Sequence, residues 1–203
     1  MGMDNKRTPL IADRTRLVAA IVFAAALVGF SIYAILNGNA EFIFYGVVLV
    51  ILAAAVFVLD RRVVLSHAAL WGLLVWAVLH LAGGNVPAGE AGVLYNFRPA
   101  EWLPKYDQAL HAFGFAVATL VCWECLRRAL VRDDGAPPRA TTGLAMACVL
   151  MGIGLGALNE VVEFVAVLTM PETNVGGYMN TGWDLVSNLA GAAAMGVWIR
   201  LRG

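Results

Sequence analysis

Long apolar stretches separated by short polar segments make up most of this sequence. Six of them are long enough for a helix to cross the hydrocarbon core of a bilayer, which takes roughly 17–25 residues. They lie at about residues 17–36, 42–59, 63–81, 106–126, 142–168 and 183–201. The pattern predicts an all-α polytopic membrane protein in which residues 1–203 form a single membrane domain of six transmembrane helices.

The segments between these spans differ in length and character. Asp60-Arg61-Arg62 is expected to be a tight turn between spans two and three. Residues 82–105 and 169–182 contain several glycines and prolines, which favour loops over helices. In a six-span chain both of these loops face the side of the membrane opposite that turn.

The basic residues predict which side is cytoplasmic. With a cytoplasmic N-terminus, only Arg98 and Lys105 of the 14 lysines and arginines fall in outer loops. Short cytoplasmic loops carry an excess of lysine and arginine, so this bias predicts that both termini are inside. We expect the membrane to be the plasma membrane, with the candidate site on its extracytoplasmic side. The other 12 basic residues are Lys6, Arg7, Arg14, Arg16, Arg61, Arg62, Arg127, Arg128, Arg132, Arg139, Arg200 and Arg202.

The composition is typical of a membrane protein and gives no indication of a nucleic-acid partner. The chain is 61% hydrophobic and 14% charged, with a formal net charge of zero. Without a basic stripe, nothing indicates nucleic acid, and membrane lipids are the expected surroundings. Cys122 and Cys125 form a CxxC pair inside an apolar run, so we interpret them as small packing residues of a helix.

The polar positions within the apolar spans carry the candidate chemistry. Ionisable groups in such spans are costly and usually face a cavity or a partner. Asp107 and His111 are spaced i,i+4, which places both on one helix face about 6 Å apart along the axis. In the predicted topology four spans bring such residues to their outer ends: His80, Asp107 with His111, Glu160 with Glu163, and Asp184 with Asn188.

Several carboxylates close together in a low dielectric repel one another, so they either share protons or are neutralised by a cation. A divalent metal is the compact solution, and imidazole with carboxylate suits zinc, iron or manganese. A proton-sharing cluster without metal is the open alternative. The assignments on the metal hypothesis are Asp107, His111, Glu160 and Asp184 as ligands, Glu163 as general base, His80 as general acid, and Asn188 and Asn159 as hydrogen-bonding supports.

A purely structural interpretation of these residues is also open. Asp107 and Asp184 each stand at the predicted start of a helix, where a carboxylate caps the helix or complements its dipole. Glu160 and Glu163 fit that interpretation poorly, because they lie near a helix C-terminus, where the dipole disfavours negative charge.

These residues also carry a resemblance to known families. The chain resembles the YjdF-like family of small bacterial and archaeal membrane proteins over about residues 70–200. It is more remotely similar to the VanZ-like family. Both resemblances imply that the chain shares a site with these families, but they do not imply a particular reaction. The segments that carry the resemblance are Tyr106-Asp107-x-x-x-His111-x-x-Gly114-Phe115, Asn159-Glu160-x-x-Glu163, Trp183-Asp184-x-x-x-Asn188-x-x-Gly191, and His80 with Gly83.

Two functions are compatible with this pattern. The first is a metal-dependent hydrolase acting at the outer leaflet on a lipid-linked or envelope substrate, because the cluster and the two glycine-containing loops share one face. The second is a proton- or metal-ion transporter or sensor that uses the same residues. Transport needs polar groups at several depths, and only Glu124 and His67 stand out in the inner half. A structural subunit without chemistry is the third interpretation.

Overall fold

The computed structural model describes residues 13–131 and 135–202, and this part of the chain is helical. Lys6, Arg7 and Arg132, which enter the orientation prediction, lie outside the described residues. The α-helices are α1 (Arg14–Leu36), α2 (Ala40–Val63), α3 (His67–Asn85), α4 (Tyr106–Ala129), α5 (Thr142–Thr169) and α6 (Tyr178–Arg202).

Polar side chains fix where most of these helices begin. Asp13, Asn39, Ser66 and Thr141 precede α1, α2, α3 and α5, and each accepts a hydrogen bond from a backbone N–H of the first turn. An N-cap of this kind satisfies one of the amides that a helix leaves unpaired. Helix α4 begins differently, because the side chain of Gln108 accepts from the backbone N–H of Lys105 at 2.9 Å.

Five helices in the described part of the chain, α1 to α5, are long and apolar enough to cross a membrane. Helix α6 is 25 residues long but is not among them. Its N-terminal half carries Asn180, Asp184 and Asn188, which lower its hydropathy and, as shown below, belong to the candidate site. Many apolar side chains on α1, α2 and α5 are exposed, as expected for surfaces that contact lipid.

Side-chain contacts tie four helices together at one end of the bundle. Arg16 of α1 pairs with Asp60 near the end of α2 and donates to the Leu65 carbonyl oxygen at 2.6 Å. Ser66, before α3, donates to the Glu124 carboxylate of α4 at 2.6 and 2.8 Å. The helices therefore run alternately up and down, as a multi-span chain requires.

The turn between α2 and α3 lies later than the sequence predicts. Asp60-Arg61-Arg62 belongs to α2, so the expectation of a turn at these residues is wrong. Val63, the expected start of span three, is the last residue of α2, and Val64 adopts a left-handed conformation with φ of 59°. Asp60 stabilises this arrangement by accepting from the backbone N–H of Leu65 at 2.9 Å.

Helix α4 packs against α3, α5 and α6 and positions the polar residues. Its contact with α6 is closest at Gly191, where an added Cβ would lie 1.8 Å from the carbonyl oxygen of Ala112. Glycine at such a crossing lets two helix backbones approach closely. Further along, Cys148 is buried with Trp123 of α4, and the three cysteines are free, in keeping with a packing role.

Two connections cover the opposite end of the bundle. Between α3 and α4 the chain makes two short 3-10 turns, Gly89–Ala91 and Leu94–Asn96. Between α5 and α6, Asn174 donates from its backbone and side-chain nitrogens to the Glu41 carboxylate of α2, each at 2.9 Å. Residues 178–182, expected to be loop, are instead the first turn of α6.

Candidate functional site

His111 of α4 occupies the centre of the polar cluster, with its side chain 7% exposed. Its Nδ1 lies 3.0 Å from the Asn188 Oδ1 and 3.6 Å from a Glu160 oxygen. Its Nε2 lies 3.6 Å from the Asp107 Oδ1 and 3.7 Å from a Glu163 oxygen. One imidazole thus contacts residues from α4, α5 and α6.

The hydrogen bond with Asn188 determines the proton position on His111. An amide oxygen can only accept, so the ring nitrogen facing it, Nδ1, carries the hydrogen. Nε2 of a neutral ring then keeps its lone pair, directed toward Asp107 and Glu163. This is the arrangement in which histidines bind metals, with the other nitrogen held by an outer partner.

Several oxygens of the cluster are buried without a hydrogen-bond partner among the described residues. They are both carboxylate oxygens of Glu160 and the Oδ1 of Asp184. The Glu160 side chain is 9% exposed and Asp184 is fully buried. Unpartnered buried acceptors are rare because they lose their bonds to water without replacement. These oxygens call for a proton or a cation.

Asp184 does not begin a helix, so the interpretation of this residue as a simple cap is wrong. Helix α6 starts at Tyr178, and Asp184 stands in its second turn. Its Oδ2 accepts from the side-chain amide of Asn180 at 2.6 Å. The same amide nitrogen lies 3.4 Å from the Asp107 Oδ2, so Asn180 bridges the two aspartates.

Glu163 and Asn159 form a separate contact on α5. The Asn159 side chain donates to a Glu163 oxygen at 2.7 Å, in keeping with a supporting position. Asn159 also lines a small cavity together with Asp107, His111 and His80. The apolar wall of this cavity consists of Trp76, Leu110 and Phe115.

His80 lines the same cavity but stands outside the carboxylate groups. The Tyr95 hydroxyl lies 2.5 Å from its Nδ1 and 3.1 Å from its backbone carbonyl oxygen. The ring stacks on Trp76 at a centroid distance of 5.3 Å. Tyr95 belongs to the α3–α4 connection, where burial and the negative charge of Asp107 raise its pKa well above the ordinary value. Its hydroxyl therefore stays protonated and keeps His80 Nδ1 engaged.

The cluster offers two sets of possible metal ligands. Asp107, His111 and Asp184 present atoms that all lie within 4.8 Å of one another, and so do His111, Glu160 and Glu163. The four ligands expected from the sequence are thus divided between two groups that share His111. Such sets of imidazole and carboxylate fit zinc, iron or manganese.

Sequence reasoning missed three residues at this end of the bundle: Asn180 and Tyr95, which contact site residues, and Glu41, which holds the α5–α6 connection. Asn180 precedes Asp184 by four residues, so extending the i,i+4 series of α6 backward would have found it. Glu41 is buried in the first turn of α2, just before the predicted span two. Tyr95 gave no signal, because its position depends on the path of a connection.

Comparison with known proteins places the chain in a family. No curated protein and no solved structure matches it. One family model does match, over residues 15–202, which is nearly the whole chain. Its description agrees with the apolar helices reported above. The chain belongs to the family described as "Predicted membrane protein (DUF2238)".

Proposed function

We propose that this protein binds a divalent metal ion in the cluster around His111 and uses it to hydrolyse a lipid-linked or envelope substrate. In this proposal the chain spans the plasma membrane six times with both termini inside. The cluster then faces the extracytoplasmic side. The resemblance to the YjdF-like and VanZ-like families rests on the same residues and belongs to this proposal.

The buried, unpartnered oxygens of Glu160 and Asp184 carry the metal assignment. Four carboxylates meet here, and no lysine or arginine among the described residues forms an ion pair with any of them. An uncompensated buried charge is strongly destabilising. A divalent cation neutralises this charge and supplies partners for the oxygens in one step.

The contacts support an assignment of the ligands. Asp107, His111 and Asp184 are the first three: the His111 Nε2 lies 3.6 Å from the Asp107 Oδ1, and the Asp184 Oδ1 is buried without a hydrogen-bond partner among the described residues. Glu160, from α5, is the fourth proposed ligand; its carboxylate lies 3.6 Å from the other ring nitrogen, Nδ1, and it belongs to the second group with His111 and Glu163. Asn188 holds the ring in orientation through its 3.0 Å contact with Nδ1.

We assign proton transfer to Glu163 and His80. When bound, the metal polarises water and the scissile group, as Lewis-acid cations do in hydrolases. Glu163, held by Asn159, accepts the proton of the attacking water. His80 lines the cavity opposite, and because Tyr95 engages Nδ1, Nε2 is the atom that donates a proton to the leaving group.

Exposed aromatic side chains support a site at the membrane surface. Trp102 and Tyr178, in and beside the two connections at this end, are 83% and 90% exposed, and Trp183 is half exposed. Tryptophan and tyrosine concentrate where the bilayer meets water. A lipid-linked substrate would reach the cavity from this level without leaving the membrane.

The course of α6 supports a sixth span. At its far end Arg200 donates to the Thr142 hydroxyl at the start of α5, at 3.2 Å. Near its first residue, Asn180 contacts Lys105 and Asp107 at the start of α4. Helix α6 therefore runs the full depth of the bundle, and its polar face is turned toward α4 instead of lipid.

Metal binding is tested by measuring Mn²⁺ affinity and metal content of the purified protein in detergent. We expect tight binding by the wild type and a loss of at least tenfold in affinity in Glu160→Gln, which keeps shape but removes charge. The matched control is Glu101→Gln, an exposed acid in the α3–α4 connection, which should bind as the wild type. A wild-type protein that binds no divalent ion would refute the proposal.

Hydrolysis needs a separate experiment. The protein is reconstituted in phosphatidylethanolamine–phosphatidylglycerol vesicles that contain a polyprenyl diphosphate, and phosphate release is followed with Mn²⁺ and with chelator. We expect metal-dependent release that Glu163→Gln abolishes while Mn²⁺ binding persists. Release that is unaffected by chelator, or by this substitution, would contradict the assigned roles.

A further inference from the structure

Asn180 has an unusual set of contacts for a residue in the first turn of a helix. Its amide nitrogen lies 2.6 Å from the Asp184 Oδ2, 2.9 Å from the Val175 carbonyl oxygen and 3.4 Å from the Asp107 Oδ2. Its amide oxygen accepts from the Lys105 ammonium at 3.2 Å. One side chain thus connects α4, α6 and the segment between α5 and α6.

Each of the two aspartates contacts this amide through its Oδ2 atom. Asn180 contacts Oδ2 of both Asp107 and Asp184, which leaves Oδ1 of both available. The free Oδ1 of Asp107 lies 3.6 Å from the His111 Nε2, and the free Oδ1 of Asp184 is buried without a partner. The amide therefore holds one oxygen of each aspartate and leaves the other oxygen free to ligate an ion.

We infer that Asn180 is a positioning residue for the metal site, orienting Asp107 and Asp184 so that their Oδ1 atoms ligate the ion together with His111. This inference rests on the proposed metal binding and names the residue that sets its geometry. Hydrogen-bonding partners behind metal ligands fix their orientation, and removing one typically weakens metal affinity by roughly 10–100-fold.

Its surroundings hold Asn180 itself in place. The Lys105 ammonium polarises the amide, which strengthens the hydrogen bonds that its nitrogen donates. Its nitrogen also donates to the Val175 carbonyl oxygen, which anchors the side chain to the α5–α6 connection. Lys105 and Val175 therefore hold the amide before any ion binds.

The test compares Mn²⁺ affinity, by electron paramagnetic resonance of free Mn²⁺, in the wild type, Asn180→Ala and Asn174→Ala. Asn174→Ala is the matched control, because it changes the same connection, keeps its backbone hydrogen bond to Glu41 and touches no ligand. We expect the Kd of Asn180→Ala to rise about 10–100-fold. The Kd of Asn174→Ala should stay within about twofold.

A merely structural role would give a different result. It would lower the melting temperature of metal-free Asn180→Ala but leave the Kd of the folded fraction unchanged, which would overturn the inference. If Asn180→Ala does not fold, Asn180→Ser keeps one donor and should weaken binding less than tenfold but measurably; an unchanged Kd again overturns the inference. If the wild type binds no Mn²⁺, the proposed function fails and the inference falls with it.

Discussion

Replacing Gly191 with alanine tests whether the contact between α4 and α6 builds the site. The added Cβ would lie 1.8 Å from the Ala112 carbonyl oxygen and 2.6 Å from its carbon. A carbon and an oxygen approach to about 3.3 Å at closest, so the two helices must separate locally by about 1.5 Å. The obstacle is backbone, which cannot turn aside as a flexible side chain can.

This displacement acts directly on the cluster. Ala112 follows His111 in α4, and Gly191 lies one turn after Asn188 in α6. Separating the helices therefore lengthens the 3.0 Å contact between His111 and Asn188 beyond hydrogen-bonding range. Overpacking of this kind lowers the free energy of unfolding by about 1–3 kcal/mol. We expect the Mn²⁺ affinity to fall as well.

The assay measures unfolding by dodecyl sulfate titration in mixed micelles, with tryptophan fluorescence as the signal, and Mn²⁺ affinity on the same samples. Gly154→Ala in α5 is the control, because its Cβ would meet nothing within 4 Å. This control should be as stable as the wild type or more stable, since alanine is the better helix former. A Gly191→Ala protein as stable as Gly154→Ala would refute the close packing described here.

Three further predictions concern the rest of the fold. Arg16→Met removes the partner of Asp60 and should lower the free energy of unfolding by about 1–3 kcal/mol in the same titration. A hydrogen bond from His67 lowers the pKa of Asp13 below its ordinary 3.8. Ionised Asp13 therefore stabilises the folded protein at pH values above 3.8, and this stabilisation is lost as the pH falls through the lower pKa of the folded state. In Asp13→Asn the melting temperature should consequently fall less steeply at acidic pH. If the proposed orientation is correct, Tyr178→Cys, in a background without the native cysteines, should react with an impermeant maleimide added to intact cells, since Tyr178 is exposed at the end of the bundle that carries the site.

Each of these predictions can fail in a recognisable way. An unchanged unfolding free energy in Arg16→Met would show that the end contacts of α1 and α2 do not hold the bundle. If the melting temperature of Asp13→Asn falls at acidic pH as steeply as that of the wild type, groups other than Asp13 cause the pH dependence. For the labelling, Leu130→Cys at the other end of the bundle is the control. If Leu130→Cys is labelled in intact cells and Tyr178→Cys is not, the orientation is the opposite of the one proposed.

Helical periodicity predicts which polar residues of one helix share a face. Spacing of i,i+4 puts Asp107 with His111, and Asp184 with Asn188, on single faces whatever the surroundings. Alternating span direction then brings these faces to one end, and the structure places them around the His111 imidazole. The i,i+4 spacing and the alternating direction of the spans together predict that Asp107, His111, Asp184 and Asn188 lie at one end of the bundle.

The parts that sequence did not predict depend on connections and on side-chain geometry. The start of α6 was placed too late because Asn180, Thr181 and Gly182 lower the local hydropathy, although Asn180 turns toward α4 and not toward lipid. Tyr95 reaches His80 only through the path of the α3–α4 connection. The division of the expected ligands into two groups around His111 also depends on rotamers that hydropathy and spacing do not determine.

The most direct test of the metal site is pulsed electron paramagnetic resonance of bound Mn²⁺, which detects nitrogen nuclei coordinated to the ion. The chain has 3 histidines, at positions 67, 80 and 111, so the source of a nitrogen signal can be assigned by substitution. We expect coupling to one imidazole nitrogen, lost in His111→Gln and kept in His67→Gln. Tightly bound Mn²⁺ without any nitrogen coupling, or coupling that survives His111→Gln, would contradict a site built on His111.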